Sequence, residues 1–273
     1  MQFLLDGNAL GSPVTVAPYA VQWDTTTATA GVHTLSARAT DTSGNPATST
    51  GVAVTVQNPA PPMTCFVLQV QRSVHNHGTV TTPTFSTVMP GEVLLAFVGS
   101  DGPKSVGAQS VTVSGAGLTW TRVRRANARY GDAEVWTATA ANVLTNVSVR
   151  STPLRGGYDQ DLTVIAMEGA LGVGAAAAAS GTSGAAAVSL VTSAPTSLVF
   201  GVGNDWDRAV ARSYPVGLVQ LEQWVDTGKG DTYWSEYTNQ TTGPAGSTVR
   251  VATSTPTNDQ WNLVAVELLG DGE

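Results

Sequence analysis

Apolar residues in this chain come in short alternating runs separated by turn formers. Phe3 and Leu5 share one face of an extended segment, and Asp6-Gly7 follows as a tight-turn signal. Val14 and Val16 precede Pro18-Tyr19, and Val21 and Trp23 fall on one face of a predicted next strand. In the segment from Gly31 to Ala39, the predicted inward positions are Val32, Leu35, Ala37 and Ala39. The stretch Asp41-Thr42-Ser43-Gly44-Asn45-Pro46 predicts a turn, because Asp and Asn bond locally to backbone and Gly accepts positive φ. Val52, Val54 and Val56 then alternate as a closing strand.

Beyond residue 63 the same pattern continues at larger scale. Predicted strands begin at 65–74 and continue with Gly91 to Val98, the most apolar run and the expected centre of a sheet. Further strands are expected at 111–113, 118–123, 133–138, 147–149, 162–167, 187–191, 197–202, 216–225, 232–237, 247–252 and 261–269. The run Ser197 to Val202 resembles the earlier central strand, with the same apolar stretch after a turn. Ala175 to Ala179 tempts a helical reading, but Gly169, Gly172, Gly174 and Gly181 surround it and five residues nucleate no stable helix. Small residues that let strands or loops approach closely explain it better. Neither βαβ alternation nor a twelve-residue amphipathic helix is present, so the expected class is all-β: a partial immunoglobulin-like sandwich, then a larger jelly-roll-like β-sandwich.

Three prolines in Asn58-Pro59-Ala60-Pro61-Pro62 deny ladder hydrogen bonds and predict a stiff connector. The expected organisation is a domain over 1–58, a linker over 59–63 and a β domain over 64–270. The stretches Phe3 to Gly7, Pro18-Tyr19, Trp23-Asp24-Thr25, Gly31 to Leu35 and Asp41 to Asn45 resemble a bacterial immunoglobulin-like domain of secreted surface proteins and polysaccharide-active enzymes. The resemblance covers the latter two-thirds of such a domain and implies about two further strands before Phe3. It also implies a spacer or adhesive stalk with no catalytic residue. Gly117 to Trp120, Glu134 to Ala138, Val199 to Asp207 and Trp261 to Glu267 resemble an uncharacterised module of bacterial extracellular proteins. That likeness implies a β-sandwich and an extracellular setting.

Composition narrows the function. Of 273 residues, 42% are hydrophobic and only 12% charged, a weakly charged surface of the kind exported β proteins carry. The net charge of -7 and the presence of only Lys104 and Lys229 as lysines argue against nucleic acid, which needs clustered cations. The densest basic stretch, Arg122, Arg124, Arg125 and Arg129, reads as a solvated strand face with its turn, or else as a small anion site. A single cysteine, Cys65, forms no internal disulfide and reads as a buried bystander. No segment is long and apolar enough to span a bilayer, so no membrane insertion is expected. The first residues carry no basic region or cleavage-like site, so the expected location, secreted or cell-surface, implies an export signal outside this fragment.

Three polar stretches are candidate sites. Asn204, Asp205 and Asp207, with Trp206 and Arg208 between and after them, are expected in a loop at a sheet end. Their oxygens suit calcium, which takes six to eight, but the spacing is not that of an EF-hand. A local reading competes, in which Asp205 or Asp207 pairs with Arg208. Trp224, Asp226, Asp231, Tyr233 and Trp234 flank a predicted hairpin tip at Gly228-Lys229-Gly230. Aromatic rings beside carboxylates are what sugar binding needs, although at least three of the six tryptophans beyond residue 63 should point into the core. Tyr158-Asp159-Gln160-Asp161 predicts an acidic turn, and Asp159 and Asp161 are added to the calcium candidates.

Catalytic patterns are weaker. Asp205, Asp207, Glu222, Asp226 and Asp231 could supply a glycosidase pair, but their spacing selects none. His75 and His77 share a side if the chain is extended there; zinc would need a further ligand, and a polar surface turn is the favoured reading. His33 is expected to be a hydrogen-bonded structural histidine. The sequence thus points to a non-catalytic extracellular binding module, with polysaccharide or a cell-surface glycan as partner, calcium as a structural ion and no organic cofactor. The alternatives are a structural or adhesive module touching protein, and a polysaccharide-active enzyme.

Overall fold

The computed structural model describes residues 1–25, 28, 31–56 and 66–270. The chain divides into two compact units, Met1–Pro62 and Met63–Glu273. Cys65 and the linker over 59–63 lie outside the described residues. The described residues form β structure with no α-helix, and every strand pair is antiparallel.

In the first unit, β1 (Gln2–Leu5) and β2 (Asn8–Leu10) form a two-residue hairpin in which Leu5 pairs with Asn8. Asp6 and Gly7 have φ of 50° and 81°, the left-handed pair that such a turn requires and that Gly and Asp tolerate. Asp6 also holds the next strand: its carboxylate accepts from Thr34 N at 2.7 Å and hydrogen-bonds His33 Nδ1 at 2.6 Å. His33 is therefore structural, as expected. β3 (Gly31–Thr40) pairs with β1 and also with β4 (Pro46–Thr48) and β5 (Val52–Val56). The strand expected at Val21 and Trp23 is not formed; those residues cover the sheet as irregular chain beside Phe3 and Leu35.

The larger unit stacks four sheets. The first inner sheet has the order β10 (Thr121–Ala126), β11 (Asp132–Ala140), β8 (Glu92–Ser100), β13 (Asp159–Glu168), β6 (Val67–His77). It is covered on one side by β7 (Val80–Thr81), β12 (Val149–Pro153) and β9 (Val111–Gly115). The second inner sheet has the order β14 (Gly172–Gly181), β20 (Trp261–Leu269), β16 (Leu198–Asp205), β18 (Asp231–Thr238), β17 (Leu218–Asp226), and is covered by β15 (Ala187–Val191) and β19 (Thr248–Ala252).

The period of two explains the stacking. Leu94, Ala96 and Val98 of β8 join an apolar core with Val111, Val113 and Val149 of the outer sheet. The intervening Val93, Leu95 and Phe97 face the other way, into a core with Phe200, Val202, Val264 and Val266. Phe97 stacks on Phe200 at 5.6 Å across this middle core. Val199, Trp234, Leu263 and Ala265 turn outward to a third core with Val188, Leu190 and Val251. A strand whose two faces both meet apolar cores favours apolar residues at successive positions, which is why 93–98 reads as an unbroken run. The alanine run is strand β14, as its glycines indicate.

The two inner sheets also repeat one another. Taken in chain order, β6, β8, β10, β11 and β13 occupy the same places in the first as β14, β16, β17, β18 and β20 do in the second. The repeat leaves a short trace: Val98-Gly99-Ser100-Asp101 at the end of β8 and Val202-Gly203-Asn204-Asp205 at the end of β16. The larger unit is thus two halves of one strand order packed face to face, and their central strands end at the same edge of the seam.

Candidate functional site

At that edge the middle core gives way to polar residues from both halves. Gly99 lies so close to the second half that a Cβ there would sit 2.8 Å from Tyr233 Cδ1. Its lack of a side chain makes room for the Tyr233 ring. Tyr233 stacks on Trp224 at 5.2 Å, and Trp224 stacks on His75 at 4.4 Å, so three rings run from the buried seam to the surface.

Beside this ladder stand His75, Asp161 and Glu222, each with one ligand atom within 4.8 Å of the others. His75 and Asp161 are directly opposed on paired strands β6 and β13, and Glu222 reaches them from β17 of the other half. Asp161 is only 3% exposed, and its Oδ1 has no hydrogen-bond partner among the described residues. Burial pushes its pKa well above the usual carboxylate range, and Glu222 pushes it the same way. One imidazole nitrogen and two carboxylates at this spacing can coordinate a metal ion.

A second group surrounds the Tyr233 hydroxyl, which donates to Asp231 Oδ2 at 3.2 Å and to the Asp159 carbonyl at 3.4 Å. Asp101 lies nearby; burial raises its pKa to about 6, Asp159 adds to the rise, and the Trp206 indole and Lys229 oppose it. Burial likewise raises Asp231 to about 7, helped by repulsion from Asp101, Asp226 and Asp205. The half-buried Trp206 indole lies near enough to Asp101 to lower its pKa, packs edge-on against Tyr130 at 5.0 Å and lies under the Lys104 ammonium at 5.0 Å.

The calcium set expected from sequence is not assembled. Asn204 and Asp205 belong to β16, not to a loop. Asn204 is spent joining the halves: its Nδ2 donates to Ser100 O at 3.5 Å and its Oδ1 accepts from Asn262 Nδ2 at 2.9 Å. Asp205 is ion-paired with buried Arg212 and accepts from Asp207 N at 2.5 Å. Asp207 accepts from Gln260 N at 3.2 Å, a clip between loops. Arg208 pairs with Asp259 through Nε at 2.7 Å, rather than with Asp205 or Asp207. Asp159 and Asp161 lie inside β13, not in a turn, and part company there: Asp159 hydrogen-bonds His77 Nδ1 at 2.9 Å, while Asp161 faces His75 and Glu222.

The expected aromatic platform is redistributed. Trp234 is fully buried in the third core, where Arg212 lies 4.6 Å over its ring. Tyr233 is 1% exposed, and the stacking of Trp224 is committed to rings of this chain. Buried Trp120, Trp234 and Trp261 are the three core tryptophans expected. Asp226 caps the hairpin tip, accepting from Gly228 N at 2.9 Å and Lys229 N at 3.2 Å.

Sequence reasoning weighed His75 but favoured a turn there, and it considered Glu222 only for catalysis. The usable signal was His75-Asn76-His77 at i and i+2; strand β6 does extend through both histidines. The arginine stretch is partly paired: Arg122 and Arg125 approach buried Glu134 at 3.6 and 3.8 Å. Among the described residues, no helix is long and apolar enough to cross a membrane. No protein-family model matches the chain, and no curated protein or solved structure matches it either.

Proposed function

We propose that this chain is a non-catalytic binding module of an exported or cell-surface protein, that its larger unit consists of two jelly-roll-like halves, and that it takes polysaccharide or a cell-surface glycan at the polar edge of their seam. The observation that carries the reading is the setting of Trp206, a half-buried ring held against Tyr130 and Lys104 beside Asp101. A ring face packs against the C–H side of a sugar, and half-buried Asp101 and exposed Lys229 near it offer an acceptor and donors to hydroxyls. The jelly-roll description rests on the layering: in the first half β6, β13, β8 and β11 share one sheet while β7, β12 and β9 share the other, and in the second half β14, β20, β16 and β18 share one sheet while β15 and β19 form the other. The test is retention of the purified chain on a panel of soluble and insoluble polysaccharides. Retention on one polymer class, weakened about tenfold or more by Trp206→Ala, supports the reading. No retention on a validated panel moves the assignment to an adhesive or structural module touching protein.

A polysaccharide-active enzyme is a second reading, favoured by one observation: burial raises the pKa values of Asp101 and Asp231 to about 6 and about 7, and Asp101 adds to the rise at Asp231. Release of reducing ends from the retained polymer, abolished by Asp231→Asn, would select it.

A further inference from the structure

We propose that His75, Asp161 and Glu222 form a transition-metal site of the zinc class that ties the two halves of the larger unit together and keeps one coordination position open to solvent. The site stands independently of the glycan reading, because it uses none of the residues assigned to sugar.

Charge comes first. Asp161 is buried beside Glu222, and neither carboxylate has an ion-pair partner among the described residues. A carboxylate taken out of water without a cation or donors is costly, and an unpartnered Asp161 oxygen compounds it. A divalent ion between the two neutralises both. Some buried carboxylates have cationic partners: Glu134 has Arg122 and Arg125, and Asp205 has Arg212. Asp132 and Glu236 share with Asp161 the lack of one, but among the described residues only Asp161 has an imidazole and a second carboxylate within ligand reach.

Ligand type selects the metal. Calcium takes six to eight oxygens and magnesium a near-octahedral oxygen shell, whereas this site offers three protein ligands, one of them nitrogen. One imidazole and two carboxylates suit zinc and its neighbours, which accept three protein ligands with water in the fourth place. His75 is exposed, so that fourth place faces solvent. The Trp224 ring stacked on His75 at 4.4 Å fixes the plane of the imidazole, as an outer-shell partner does in established metal sites. His77 is not part of the site, since Asp159 holds it.

The supply of ligands from both halves gives the ion a mechanical role. β6 and β13 are edge and near-edge strands of the first inner sheet, and β17 is the edge of the second. A metal there clamps the open margin of the seam, and its binding free energy adds to the stability of the folded unit.

The test uses the full chain without a histidine tag, stripped with chelator. Calorimetric titration with Zn2+ should show one equivalent per chain. Co2+ should give visible absorption bands of a low-coordinate N/O site, and Zn2+ should raise the thermal midpoint. His75→Ala and Glu222→Gln, checked for folding by circular dichroism, should each weaken binding at least tenfold and abolish the thermal gain. His77→Ala should bind as wild type. Absence of Zn2+ and Co2+ binding, undiminished binding by His75→Ala, or a stronger response to Ca2+ than to Zn2+ at this site would overturn the proposal. None of these outcomes bears on polysaccharide retention, so the two readings fail separately.

Discussion

Glu236 on β18 puts a number on what a buried acid costs this fold. The residue is fully buried, and neither oxygen has a partner at hydrogen-bonding distance among the described residues. Burial pushes its pKa from 4.5 to about 8, with the Trp234 indole N–H pulling weakly the other way from beyond hydrogen-bonding distance. The folded state therefore binds a proton that the unfolded state has released. The stability from this group is fully present below about pH 4.5 and is lost as pH rises toward 8. The full shift, 8 − 4.5 = 3.5 units at ~1.36 kcal/mol each, corresponds to ~5 kcal/mol. The share lost between pH 6 and pH 8 is ~2–3 kcal/mol. Glu236→Gln keeps the shape and removes the titration. Urea unfolding of both proteins at pH 6, 7 and 8 should show wild type losing ~2–3 kcal/mol relative to the variant over that span. Asp101 and Asp231, whose pKa values are also raised, titrate in both proteins and cancel in the difference. A difference between the two that stays constant within ~0.5 kcal/mol would refute the claim that Glu236 is held protonated by burial.

Two further substitutions probe the packing around the seam. Gly99→Ala places a methyl 2.8 Å from Tyr233 Cδ1, so the ring or the strand must shift; a loss of ~1–3 kcal/mol is expected, read as a fall in thermal midpoint, with disturbed Trp224 fluorescence as its local sign. Arg212→Met removes the cation shared by Asp205 and Asp259 and should cost ~3–5 kcal/mol in urea unfolding at neutral pH; a loss under ~1 kcal/mol would mean that another cation serves Asp205.

The sequence was most legible where one local pattern decides the outcome. Val93 to Val98 had to be a central strand because no other element buries every residue of so short a run. Asp6-Gly7 had to be a hairpin turn because left-handed backbone needs such residues. Reading went wrong where polarity was equated with exposure. Asp159, Asp161, Asn204 and Asp205 looked like loop residues, yet all four lie in strands and are buried. Asn204 bonds across to Ser100 of the other half and Asp161 faces Glu222 across the seam, while Asp159 and Asp205 are held within their own halves by His77 and Arg212. Val21 and Trp23 erred the other way: apolar alternation promised a strand, but these side chains cover a sheet without joining its ladder. The His75–Asp161–Glu222 group was legible residue by residue and invisible as a group. The first two are paired by strand register although they lie far apart in the chain, and the third arrives only when the second half packs on the first.

The repeat explains why chemistry concentrates at one margin and why the halves differ there. Asp101 and Asp205 occupy the same place after the shared Val-Gly-polar-Asp motif. In the second half Arg212 sits against Asp205, and Asp259 joins the same guanidinium, so that acid braces the fold. In the first half no arginine takes that place among the described residues; Asp101 instead meets the Trp206 indole and remains half-buried at the rim. Two equal sheets facing one another need only apolar residues in the middle, which Phe97 and Phe200 supply. At the margin the core thins, and each half is free to specialise. One edge strand then carries the imidazole and its neighbour a buried carboxylate, while the opposite edge strand carries Glu222 and the stacked Trp224. A site assembled this way exists only when both halves are folded and docked, so occupancy by a ligand or metal there reports on, and stabilises, the whole unit rather than either half alone.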